Sequence, residues 1–298
     1  MTTAVLTTLG RIRSASARSG KLRALRKNRL AMTGGIIAAV FVLAALFAAL
    51  FAPLIAPYDP ARPDFANALA APGWSHWLGT DDLGRDQLSR VVYGARASMQ
   101  VGVLAVALAF VVGVPLGLLA GYYGKFTDSV VSRFTDTMLA FPFLVLAVGL
   151  AAVLGPSLTN ATIAIGISQI PAVIRITRAE TLRLRHVDYV AAAVANGGGD
   201  ATVLFRHILP NATSALTVQA TVGIPAAIIG EALLSFLGLG VQPPDASLGV
   251  MLSGAQSFLA PAPWMAVFPG LAVVAATLAF NLLGDGLRDV LDPRGATR

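Results

Sequence analysis

Long apolar runs alternate with shorter polar connections along most of this 298-residue chain. Runs at about 32–55, 101–121, 130–154, 161–176, 211–237 and 264–283 approach or exceed the ~20 residues that cross a bilayer as helix. They predict an all-α membrane protein with six transmembrane helices. Breakers separate them: Pro53, Pro57, Pro60 and Pro63 after the first run, Gly155, Pro156 and Asn160 after the third, Gln242, Pro243, Pro244 and Asp245 after the fifth. Gly113, Gly117 and Gly121 share one face of the second span, where another helix can come close. Pro142 predicts a kink in the third.

Two polar stretches depart from short connections. Residues 56–99 form an outer segment in which Trp74, Trp77 and Tyr93 are membrane-interface residue types. Its second half predicts an amphipathic helix on the outer surface, with Asp81 or Asp82 near its N-terminus to meet the helix dipole. Residues 186–210 are glycine-broken. Ala191, Ala192, Ala193, Val194 and Ala195 favour helix, Gly197, Gly198 and Gly199 stop it, and Asp200 can cap a second helix through Val203, Leu204 and Phe205 towards Pro210. The pattern is a short helix, a sharp turn and a helix feeding the fifth span. From the residues alone, a docking element and a passive surface hairpin fit equally well.

Composition agrees with a membrane protein: hydrophobic residues make up 56%, charged residues 12%, and the mean hydropathy is +0.72. The net charge of +7 follows topology and forms no nucleic-acid-binding face. Of 22 Lys and Arg, 18 fall in segments placed inside: the tail 1–31, the turn before the third span, 175–206 and the C-terminal 284–298. Arg62, Arg85, Arg90 and Arg96 are the four outside, so both termini are predicted to be cytoplasmic. The tail is longer than a signal-peptide n-region and the first run longer than an h-region, so the first span reads as an anchor. The basic tail also suits anionic lipid.

Chemistry is sparse. There is no cysteine, hence no disulfide or thiolate metal site. Asp81, Asp82 and Asp86 lack the spacing of a calcium loop, so no metal is expected. Residues 121–126, GYYGKF, lack the first glycine and the Ser or Thr of a phosphate loop. No nucleotide site or enzyme is expected: the histidines at 76, 186 and 207 lie outside the spans, and neither GxSxG nor HExxH occurs. Asp136 and Glu231 are acids inside spans. Asp136, near the inner surface, can pair with Arg133. Glu231 can bond a neighbouring helix or partner, or line a path. A proton-coupled secondary transporter could use the two as a relay, but no inverted repeat or pair of broken helices accompanies them.

The run from Ala192 and Ala193 through Gly197 to Leu209 and Pro210 resembles the EAA loop of permease subunits of binding-protein-dependent ABC importers. Ala191 stands for the Glu of that loop's name and His207 for the usual Ile, departures familiar in the peptide and nickel branch. LGTDDLGRDQLSRVVYGAR at 78–96, DTMLAFP at 136–142, FRHILPN at 205–211, EALLSFLGLGVQPP at 231–244 and GDGLRDVLDPR at 284–294 resemble the same branch, in order. The chain is similar to C-type permeases of dipeptide and oligopeptide importers.

That resemblance implies the type I ABC importer permease fold in a bacterial cytoplasmic membrane. It implies a second homologous permease, two ATPase subunits holding ATP and Mg, an extracytoplasmic binding protein and a peptide substrate; nickel or glutathione importers of the same branch are the alternative. Within it, Asp188, Ala192, Ala193, Gly197, Asp200, Arg206, His207, Leu209 and Pro210 would couple to the ATPase. Asp136 and Glu231 would be path or interhelix groups, and Asp81, Asp82, Arg85 and Asp86 would meet the binding protein.

Overall fold

A computed structural model describes residues 55–291. The basic tail 1–31, the first span but for its last residue, and Asp292 and Arg294 lie outside the described residues. Among the described residues every regular element is helical, apart from an isolated bridge between Thr80 and Asp86.

Helix α1 (Gln87–Tyr123) runs unbroken for 37 residues. Its N-cap is Asp86, whose carboxylate accepts from the Ser89 backbone N–H at 2.8 Å and the Ser89 hydroxyl at 2.7 Å. This corrects two expectations: no separate surface helix precedes the second span, and neither Asp81 nor Asp82 is at the helix start. Nothing between Gln87 and Gly124 stops a helix, because Pro115 is accommodated within it. The polar residues of its first turn are buried under the outer segment instead of facing water.

Helices α2 (Lys125–Leu139) and α3 (Phe143–Leu154) meet at an 88° bend. Pro142 lacks the N–H that would continue α2, and its ring disfavours helical geometry at Phe141. The third run is thus two helices, broken far more sharply than a kink. Helix α4 (Leu158–Leu184) opens on Ser157, which accepts from the Asn160 N–H at 3.0 Å, and continues well past the expected end at 176. Helix α5 (Asp188–Ala195) is followed by α6 (Asp200–Phe236), which contains a π-helical stretch, Val203–Ile208. Helix α7 (Leu248–Ala255) is capped by Ser247, and α8 (Trp264–Leu291) closes the described chain. Three helices, α1, α6 and α8, are long and apolar enough to cross a membrane, and α2 with α3 makes a fourth candidate if counted as one span.

Packing follows side-chain size. A Cβ at Gly113, Gly117 or Gly121 would come within 2.8 Å of Val173, 2.5 Å of Thr177 or 2.6 Å of Thr181, respectively. Helices α1 and α4 therefore touch nearly backbone to backbone along this stripe. One core cluster is largely alanine, with Ala105, Ala147, Ala151, Ala161, Ala164 and Ala227 joining α1, α3, α4 and α6. Another places Met99 and Ile228 against Ala279 and Phe280 of α8, so α6 is packed from several sides. On α8, Val267, Leu271, Val274 and Leu278 form an exposed apolar stripe at helical spacing.

Candidate functional site

The C-terminal ends of α1 and α4 and the N-terminal end of α6 carry the α5 hairpin. Val190 is the buried side chain of α5, and it enters a cluster with Leu118, Leu184, Val203, Leu204 and Ile208. Asp188, Ala191 and Ala192 are exposed and Ala193 is half-buried, so the outer face of α5 is small and accessible. The helix ends as its last carbonyls are taken by the turn: Gly197 N–H bonds Val194 O at 2.9 Å and Gly198 N–H bonds Ala193 O at 3.0 Å. Gly197 has φ +78 in open space, so glycine is favoured there by its backbone alone. Gly198 is crowded: a Cβ would sit 2.7 Å from Ala193 O.

Asp200 does not cap α6; the N-cap position is Gly199, with no side-chain bond. The Asp200 carboxylate, in the first turn, accepts from the Tyr122 hydroxyl at 3.0 Å and the Tyr123 hydroxyl at 2.9 Å. It thereby fastens the start of α6 to the end of α1. Arg185 closes the same corner by donating to the Gly121 carbonyl at 2.9 Å. Neither tyrosine was singled out from sequence; a Tyr pair at the end of a span reads only as an interface type.

Arg206 and His207 lie in the π stretch, where Leu209 N–H bonds Leu204 O. Pro210 explains the irregularity: it has no N–H for Arg206 O, and its ring clashes with that carbonyl in a regular helix. Asn211 partly compensates by donating to His207 O at 2.6 Å. Leu209 packs on the Val190 cluster, whereas Phe205, Arg206 and Pro210 are exposed. With Tyr189 and Val194 of α5, also exposed, the hairpin presents an apolar surface edged by charge.

Asp136 is exposed and pairs with Arg175 of α4 at 3.0 Å, not with Arg133. Arg133 precedes it on the same helix, whereas the bend after α2 keeps its last turn beside α4. Asp128 pairs with Arg178 through a two-pronged contact that also joins α2 to α4.

Near the C-terminal end of α6, Glu231 is fully buried. It accepts from the Ser98 hydroxyl of α1 and from the Ser235 hydroxyl, the latter at 2.7 Å. Ser235 in turn accepts from the Val241 N–H at 3.1 Å, so the carboxylate anchors the outer loop and α1 to α6.

The outer acids form a second network. Asp81 accepts from Leu83 N–H at 3.0 Å and Arg85 N–H at 2.9 Å, and pairs with Arg85 at 2.7 Å and Arg90 at 3.4 Å. Asp86 also bonds His76 at 2.9 Å, and the Trp264 indole donates to Thr80 O at 3.0 Å. Asp81, Arg85 and Asp86 are therefore committed internally, and Asp82 is the exposed carboxylate of the set. Arg90 is buried as well. Among the described residues no cluster of His, Cys, Asp or Glu could hold a metal ion.

Residues 113–296 match the family of binding-protein-dependent transport system inner membrane components, and residues 20–72 match the N-terminal TM domain of oligopeptide transport permease C. The dipeptide transport system permease protein DppC of Alkalihalophilus pseudofirmus is 47% identical over 270 residues, covering 91% of this chain and 88% of that one. The glutathione transport system permease protein GsiD of Pectobacterium atrosepticum is 42% identical, covering 98% and 97%. A chain of the inward-facing MetNI methionine ABC transporter superposes with a TM-score of 0.54 at 20% identity, over 70% of this chain and 97% of that one, a likeness of fold. The chain belongs to the family of binding-protein-dependent transport system inner membrane components.

Proposed function

We propose that this chain is a permease subunit of an ATP-driven importer that moves dipeptides and oligopeptides across the bacterial inner membrane. The observation that carries the reading is the α5 hairpin, whose small outer face is exposed while Val190 and the Asp200 clamp fix it to the ends of α1, α4 and α6. A push on α5 reaches the membrane helices through the packed cluster around Val190, beside the glycine turn that joins it to α6. ATP and Mg belong to two partner ATPase subunits, which receive the exposed Asp188, Ala192 and Arg206. Ala193, Gly197, His207, Leu209 and Pro210 shape the same hairpin. The first span, α1, the α2–α3 pair, α4, α6 and α8 make six crossings with both termini inside. At 27 residues, α4 reaches about 40 Å, enough to cross despite its polar inner turns.

The exposed stripe of α8 meets lipid or a second homologous permease. An extracytoplasmic binding protein docks on the outer segment, where Asp82 is accessible. Glutathione is the second substrate reading, favoured by the glutathione permeases among the relatives. A proton relay has less support, because Asp136 bonds an exposed Arg175 while Glu231 is enclosed by Ser98 and Ser235. The test is to purify the assembled complex and find the binding protein that stimulates its ATP hydrolysis. Stimulation by a peptide-loaded binding protein is expected. Stimulation only with glutathione or a nickel chelate would replace the substrate, and uptake that follows a proton gradient without ATP would overturn the class.

A further inference from the structure

Tyr93, Arg96 and Gln100 lie along one face of α1 at three- and four-residue spacing and border a cavity of about 880 Å3. Tyr58, Asp59 and the outer loop's Asp245 contribute to the other walls. The volume falls within the roughly 300–1,000 Å3 of small-molecule sites. Arg96 is half-buried and belongs to none of the ion pairs among the described residues. Residues 1–54 contain no acidic side chain, so no carboxylate for Arg96 can come from there. Asp59 and Asp245 likewise have no cationic partner among the described residues, although both border the same cavity.

One guanidinium and two carboxylates, unpaired with one another, match a ligand carrying both signs of charge. A guanidinium presents a planar fork suited to a carboxylate, and the tyrosine rings offer apolar walls. The two aspartates repel a purely anionic lipid headgroup. We propose that this cavity is an outer receiving site for short peptides, with Arg96 holding the C-terminal carboxylate and Asp59 and Asp245 facing the amino end. It rests on the peptide reading given above and places a substrate contact on this subunit's outer half, beside Val241, which also belongs to the Glu231 network.

The test uses the complete complex in proteoliposomes with saturating binding protein. ATP-driven uptake of alanyl-alanine is compared with uptake of its C-terminal amide for the wild-type, Arg96→Gln and Arg96→Lys chains. Arg96→Gln is expected to lower uptake of the free acid about tenfold relative to the amide, the scale of a lost charged hydrogen bond, and Arg96→Lys to restore part of it. An acid-to-amide ratio unchanged by Arg96→Gln overturns the proposal, as does a ratio that follows vesicle composition (phosphatidylcholine alone against phosphatidylethanolamine with phosphatidylglycerol) in place of residue 96. If Arg96→Gln does not assemble, Asp245→Asn carries the test: it should lower uptake of alanyl-alanine relative to its N-acetyl form, and an unchanged ratio overturns the site. Wild-type complex that transports neither dipeptide but does transport another solute would instead overturn the substrate reading itself.

Discussion

Glu231 works through its two acceptor oxygens, one towards Ser98 of α1 and one towards Ser235. Glutamine keeps the length and one acceptor, so Glu231→Gln is expected to leave ATP-driven uptake within about twofold, whereas Glu231→Ala strands buried hydroxyls and costs about 1–3 kcal/mol. Thermal unfolding of the purified complex, followed beside uptake, separates the two effects. At the hairpin turn, Gly198→Val would meet Ala193 O, while Gly197→Asn meets only open space at a φ that asparagine tolerates. Co-purification of the ATPase should fall with Gly198→Val and persist with Gly197→Asn. The three glycines at 197–199 read alike in sequence. Which of them is crowded depends on where a carbonyl four or five residues earlier comes to lie, and only the folded turn decides that. Asp200 illustrates the same limit: its position suggested a cap, but two hydroxyls from a helix 77 and 78 residues away in sequence hold it.

Helices α1 and α4 owe their closeness to three glycines, and the spacing of those glycines was already legible as a packing face. Gly117→Leu would drive a side chain into Thr177 and is expected to cost about 3 kcal/mol or more. The fall in complex yield and thermal midpoint checks this against an exposed control, Val111→Leu. The unbroken outer half of α1 was not legible. Its polar residues suit a surface helix locally, and they are buried through partners distant in sequence, as with Arg90 donating to Pro60 O at 2.9 Å. The bend after α2 was visible as Pro142, though not its size of 88°. The clamp between α1 and α6 has a coupling consequence. Both Tyr–Asp bonds are exposed to water, which competes for them, so changing both Tyr122 and Tyr123 to Phe should preserve assembly. The ATP hydrolysed per peptide imported is expected to rise roughly two- to fivefold. An unchanged ratio would show that α5 drives α6 without α1.

At the scale of the molecule, hydropathy carried the all-helical architecture, because a bilayer demands long apolar helices, and the placement of Lys and Arg predicts that both termini lie inside. The absence of cysteine makes the topology easy to test. Cysteines introduced at Ser19 and Thr297 are expected to react with an impermeant maleimide only from the cytoplasmic side, and one at Ser75 only from outside. The site was less legible than the fold, since its parts are ordinary residues: alanines, glycines and tyrosines whose role lies in what they leave exposed or hold together.

The claim that work enters at α5 is tested most directly by ATP-driven dipeptide uptake in proteoliposomes bearing Ala192→Arg. Ala192 is exposed on a helix anchored by Val190, so the substitution leaves the packing beneath it intact while obstructing the outer face. Uptake is expected to fall more than about tenfold, as when a docking face is lost, with membrane insertion and pairing to the second permease unchanged. Wild-type uptake with Ala192→Arg, at normal ATPase stoichiometry, would contradict it.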